Sequence, residues 1–287
     1  MTDNFKLDQD DFYHLPSDSR SAKEQFALYL KSKEIFDALP KSVKTKDPRA
    51  DLHTLFKEVS LAETRNSALY RRKLDANESL SSFWLSKVRN FATILSVARK
   101  IPKFSGIEES KLSAIAKWSK DVSYLPAVSD ALLQLGIILV YERAIPGMKL
   151  DGAVFILDSG NPVIGMTLRY PRIDNYWFTL MHELAHVAKH YDLLQNPILD
   201  DLDETPLDKI EKEADRLAGN SLISRSDWRS CPAKYDLSDK NVLSFASQIG
   251  VHPSIVAGRL RRELDRYNIF SDIVNKTNTR EILFCDE

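Results

Sequence analysis

Cysteine is nearly missing from this chain: Cys231 and Cys285 are the only two among 287 residues. They lie far apart and outside any metal-ligand spacing, which argues against a disulfide framework or a thiolate metal site. They read as two unrelated reduced thiols of a cytosolic protein. An excess of one charge is missing too, since 40 basic against 41 acidic residues leave a formal charge of −1. Nothing in that balance points to a protein coated in nucleic acid or held on an anionic membrane. Long apolar runs are also lacking. The longest, around Leu135 to Tyr141, is far too short to span a bilayer. The opening Met1-Thr2-Asp3-Asn4-Phe5-Lys6 has no hydrophobic region behind it and does not read as a secretory signal. No internal repeat or low-complexity tract is present. What remains is the composition of an ordinary soluble protein, long enough for one large domain or two modest ones.

The first part of the chain reads as helices. Ser21-Ala22-Lys23-Glu24 is a capping-box pattern ahead of Phe26, Tyr29 and Leu30. Leu80, Phe83, Trp84, Val88, Phe91, Leu95 and Ala98 then recur at helical spacing, with Lys87, Arg89 and Asn90 on the other face. Ser105-Gly106-Ile107-Glu108 repeats the capping-box signature before a helix through Trp118. Pro40, Pro48 and Pro102 fall between these segments, where they are expected to end helices. Near residue 135 the period changes. Gly136–Tyr141 and Ala153–Leu157 are strand-like runs, and Asp158-Ser159-Gly160-Asn161-Pro162 is a turn into a third run, Val163–Leu168. A small sheet holding a hairpin is therefore expected. Helical spacing returns near Asn175 and continues, with loops, to about Asn268, ahead of a polar tail expected to be loose. The sum is an α+β fold, mostly helical.

Within the first helix after the sheet lies His182-Glu183-Leu184-Ala185-His186. Asp174 or Asn175 can cap it, and neither proline nor glycine interrupts it. Residues four apart share a helix face, so His182 and His186 can converge on one ion. Glu183 is turned by about 100° and can sit beside the metal as general base for a polarised water. A catalytic zinc needs a third protein donor. Glu211-Lys212-Glu213-Ala214-Asp215 offers one on a second amphipathic helix, whose inward stripe is Ile210, Ala214, Leu217, Ala218, Ser221 and Leu222. Glu211 falls roughly 70° from the centre of that stripe and Glu213 roughly 90° on the other side, so geometry alone favours Glu211 only slightly. Asp215 can accept the outer N–H of a metal-bound histidine and fix its tautomer. His190 extends the histidine ladder, but at about 1.5 Å rise per residue it lies ~12 Å along the axis from His182. It is expected beside the site or at the surface. His252 and Tyr176 are further candidates for steadying an oxyanion.

These pieces resemble the ImmA/IrrE family of zinc metallopeptidases, which have a zincin fold of the glutamate-ligand type. The matching segments are Trp177-Phe178-Thr179-Leu180-Met181-His182-Glu183-Leu184-Ala185-His186 and Glu211-Lys212-Glu213-Ala214-Asp215-Arg216-Leu217-Ala218. The resemblance implies zinc held by His182, His186 and Glu211, with Glu183 catalytic. It also implies a sheet whose edge strand takes an extended substrate by strand addition. On this reading residues 1–120 form an N-terminal helical region, 121–230 the zincin-like metallopeptidase domain and 231–287 a C-terminal helical segment.

Longer family members begin with a DNA-binding helix-turn-helix, and none is readable in residues 1–75. In the C-terminal segment, Phe245 to Arg262 resembles a helix-turn-helix, with Ala246, Gly250 and Val256 at the small, turn and apolar positions. Arg259, Arg261, Arg262 and Arg266 make its second helix basic, yet one short basic helix is a small electrostatic footprint and DNA binding is not favoured. The implied activity is that of a cytoplasmic endopeptidase that cuts a helix-turn-helix repressor and so derepresses its genes, with no membrane partner. The competing reading is a DNA-binding regulator, or an antitoxin-like protein, that uses the zincin fold as a scaffold.

Overall fold

Ser21 accepts from the Glu24 backbone while the Glu24 side chain reaches back, the reciprocal cap that opens helix α1 (Ala22–Ala38). The computed structural model describes residues 20–65, 76–201 and 209–284. The opening residues and Cys285 lie outside that range. Pro48 does not end a helix as expected. It sits in the first turn of α2 (Pro48–Thr64), where its missing N–H costs nothing, and Asp47 caps that end. Helix α3 (Ala76–Ala98) carries the long apolar stripe. Leu80, Phe83, Trp84 and Val88 are buried, and Ala92 replaces Phe91 at the buried end. Arg89 is not on a solvated face. It is buried against Glu58 of α2, with its guanidinium over the Phe155 ring.

The second expected capping box does not form. Gly106 takes a positive φ of 91°, which breaks helical continuity, and α4 (Glu109–Ala116) starts beyond it. After the short α5 (Val128–Leu133) come β1 (Ile138–Tyr141), β2 (Gly152–Ile156) and β3 (Pro162–Met166). Strands β2 and β3 form the expected antiparallel hairpin, and β1 joins β3 in parallel. Helix α6 (Ile173–Lys189) follows, two residues sooner than the period suggests, with Arg172 at its cap position. Asp174 therefore lies in its first turn, ion-paired with Arg172. A fourth strand, β4 (Ile198–Asp200), pairs with β2, so the sheet order is β1-β3-β2-β4. No sequence period announced it.

Helix α7 (Lys209–Leu222), the short α8 (Arg225–Arg229), α9 (Asp239–Ile249) and α10 (Pro253–Leu264) complete the main body. Gly250 ends α9 at φ 71°, the left-handed cap the helix pair needs. The tail is not loose where described. After α11 (Ser271–Val274), α12 (Thr279–Leu283) buries Thr279, whose N–H donates to the Pro171 carbonyl at 2.8 Å.

The sheet explains the layering. Ile138, Val140, Ala153, Phe155 and Val163 pack with α1, α2 and α3, while Leu139, Val154, Ile156, Ile164 and Met166 pack with α6 and the later helices. Alternate residues of each strand thus face opposite cores, so the strands read as continuous apolar runs. Trp84 of α3 closes against Gly165 of β3, where an added Cβ would come within 2.7 Å of the indole. On the other face the same sheet presents β2 to α6, and that contact positions the site. Cys231 is buried and free.

Candidate metal centre

Helix α6 is amphipathic enough to bury His182, Glu183 and His186 together, each no more than 1% exposed. The four-residue spacing brings the two imidazoles onto one face, with their Nε2 atoms 3.1 Å apart. Helix α7 packs alongside and supplies Glu211. Its Oε2 is 3.1 Å from His182 Nε2 and 3.5 Å from His186 Nε2. Asp200, at the end of β4, adds a carboxylate that sequence reasoning missed. Its Oδ2 lies 3.6 Å from His182 Nε2 and 3.8 Å from His186 Nε2. One donor atom from each of these four residues falls within 4.8 Å of all the others.

The outer ring nitrogens are engaged on the far side. His182 Nδ1 lies 3.0 Å from Asp215 Oδ1, the contact expected for Asp215. Donation from Nδ1–H leaves the Nε2 lone pair facing the cluster. His186 Nδ1 lies 3.1 Å from His190 Nδ1, and His190 Nε2 lies 3.3 Å from Glu213 Oε2. His190 ends the helix as its C-terminal cap and is buried behind His186. Glu213 is thereby drawn away from the cluster, which separates it from Glu211. Sequence geometry favours Glu211 only slightly. Tyr176 is committed to the Tyr141 hydroxyl at 2.7 Å, and His252 caps α10 by accepting from the Ser254 N–H.

Glu183 sits beside the donors. Both of its oxygens are buried without a hydrogen-bond partner, and the space they occupy exists because β2 carries Gly152 there. Burial pushes the Glu183 carboxyl well above the usual carboxylate range; the neighbouring Asp200 carboxyl opposes this, and the charges of Glu211 and Asp151 add to it. Burial, with the neighbouring Glu183 and Glu211, raises Asp200 in the same way. For His182, burial opposes the charged form, but bonds to Asp215 and Glu211 outweigh it and raise the ring to about 10. Burial lowers His186. Burial alone would raise Glu211, yet its bonds to the two histidines hold it low.

Three carboxyls and two imidazoles in one dry space are costly unless a cation is shared among them. The donor set fits one. Tetrahedral coordination at about 2.0–2.1 Å places neighbouring donor atoms roughly 3.3 Å apart. The five separations that involve a histidine, 3.1 to 3.8 Å, bracket that value, and all four donor atoms lie within 4.8 Å of one another. Asp200 Oδ2, buried and accepting no hydrogen bond, is the atom a cation would satisfy.

A mixed sheet stacked on a helix that carries two histidines and a glutamate, with a carboxylate from the next helix, defines a domain of the zincin type. The family model described as the IrrE N-terminal-like domain of peptidase family M78 matches residues 138–261, from the start of β1 into α10. Those residues are thus similar to the IrrE N-terminal-like domain, in line with the family its motifs resemble. A comparison with curated proteins gives no match.

Proposed function

We propose that this protein is a zinc-dependent endopeptidase in which His182, His186 and Glu211 hold the metal and Glu183 is the general base. The observation that carries the reading is the Glu183 carboxyl, fully buried, unpartnered and set against the donor cluster. Zinc bound by these residues would supply Lewis acidity, polarising both the scissile carbonyl and the attacking water. Glu183 takes the proton from that water and passes it to the departing amine nitrogen. Gly152 leaves the room that this carboxyl occupies. Asp215 and the His190–Glu213 pair fix the two imidazoles with their Nε2 atoms turned inward.

A helix-turn-helix repressor as substrate follows from the family resemblance, as does a cytoplasmic setting. No helix among the described residues is long and apolar enough to cross a membrane. DNA binding through α10 is not favoured, because its arginines have partners within the chain. Arg259 pairs with Glu263 and reaches the Ile223 carbonyl, Arg261 bonds the Tyr267 carbonyl, and Arg262 lies over Phe178.

The test is co-expression with a helix-turn-helix repressor encoded beside the protein. The reading expects a cut that disappears in Glu183→Gln while bound zinc is kept. A cut that persists in that variant removes Glu183 from the mechanism. Operator binding without any cut favours the regulator instead.

A further inference from the structure

Asp200 is the one donor of the cluster that neither α6 nor α7 supplies. It comes from β4, only three residues long, paired antiparallel to β2 in the register Gly152↔Asp200, Ala153↔Leu199 and Val154↔Ile198. Residues directly opposite in an antiparallel pair project to the same face. The space at Gly152 is filled by Glu183, so the residue facing Gly152 is aimed at the same place. A carboxylate there reaches the two Nε2 atoms, as the 3.6 and 3.8 Å separations record. Its side chain is 4% exposed and its Oδ2 accepts no hydrogen bond. A buried carboxylate oxygen that accepts no hydrogen bond, facing two imidazole nitrogens and two further carboxyls, calls for a cation.

The backbone of β4 does a second thing. It occupies the outer hydrogen-bonding edge of β2, the edge beside Glu183 that an extended peptide would join. The segment is held at both ends. Arg65 bonds the Gln195 carbonyl at 2.9 Å, and the Ile156 N–H bonds the Leu194 carbonyl at 3.0 Å. At the other end the Asp151 N–H bonds the Asp200 carbonyl at 2.8 Å, and Arg169 bridges Asp151 and Asp201 at 2.9 and 2.8 Å.

We propose that Asp200 is a fourth protein donor to the metal, and that β4 is thereby a built-in stopper over both the open coordination position and the substrate edge. This rests on the metallopeptidase reading above and concerns how that site is controlled. A catalytic zinc site keeps three protein ligands and one open position, whereas four protein ligands close it. With Asp200 in place the site is closed. Lifting β4 removes the carboxylate and frees the β2 edge in one movement, so an extended peptide competes for both.

The experiment uses the full chain with cobalt(II) in place of zinc, comparing wild type with Asp200→Ala. Uptake of cobalt is checked against His182→Ala, and acetohydroxamate is the probe of the open position. Removing the stopper is expected to change the visible cobalt spectrum. It is also expected to tighten acetohydroxamate binding by about 10-fold or more, because the competent state no longer has to be populated first. An unchanged spectrum and unchanged affinity in a cobalt-loaded Asp200→Ala overturn the proposal while leaving the metallopeptidase reading intact. Failure of the wild type to bind cobalt in a His182-dependent way overturns both. If Asp200→Ala does not fold, Asp200→Asn, of nearly the same shape, is judged by the same two criteria.

Discussion

Replacing Gly152 by alanine tests whether the position of the Glu183 carboxyl matters as the site geometry requires. A Cβ built at residue 152 overlaps Glu183 Oε1 outright and lies 2.9 Å from its Cδ and 3.2 Å from its Cγ. Non-bonded atoms settle at about 3.5–4.0 Å, so the oxygen that would lie 2.0 Å away must retreat by about 1 Å or more. Glu183 is fully buried, and little space exists for that retreat. A displacement of about 1 Å at a reacting group costs on the order of 100-fold in rate. Overpacking costs about 1–3 kcal/mol, and the lost glycine freedom of the unfolded chain offsets about 0.4–1 kcal/mol of that. A folded, metal-loaded protein with a small stability loss and a large rate loss is expected. The assay pairs thermal unfolding and metal content with cleavage of the co-expressed repressor. Wild-type cleavage per metal-loaded molecule would refute the reasoning. Gly165→Ala is the control, since it strikes Trp84 rather than Glu183, and should lower stability by about 1–3 kcal/mol with activity retained.

Three further outcomes are expected. Asp215→Ala removes the partner of His182 Nδ1 and should weaken metal binding by about 10–100-fold in chelator competition. Arg89→Ala leaves Glu58 buried at 2% exposure without its ion-pair partner, which should cost about 3–5 kcal/mol in denaturant unfolding. Trp84→Ala opens a void between α3 and β3 and should cost about 3–5 kcal/mol, with metal content per folded chain unchanged.

What the sequence made legible was what local periodicity controls. The metal helix could be read because two histidines four apart must share a helical face whatever surrounds them. The hairpin could be read because its turn residues are unambiguous between apolar runs. His190 lies behind His186, too far along the helix to share its ion, but the end of α6 at Lys189 folds its ring inward, and no helical rule foretells that. Glu211 and Glu213 flank one stripe almost symmetrically, and only the packing of α7 on α6 sends one to the cluster and the other to His190. Arg89 looked solvated because its partner, Glu58, belongs to a different helix. Asp200 was invisible for a related reason. Its strand has three residues and no period, and its aim is set by register against Gly152. Long-range pairing of that kind leaves no mark on the spacing of residues along the chain.

The central claim is that His182, His186 and Glu211 hold a single zinc ion that Glu183 serves without binding. Metal analysis of purified wild type, His182→Ala, Glu211→Ala, Glu213→Ala and Glu183→Gln tests it most directly. The account predicts about one zinc per chain in wild type, Glu183→Gln and Glu213→Ala, and a near absence in the other two. Zinc retained in Glu211→Ala and lost in Glu213→Ala, or no zinc in the wild type, would contradict it.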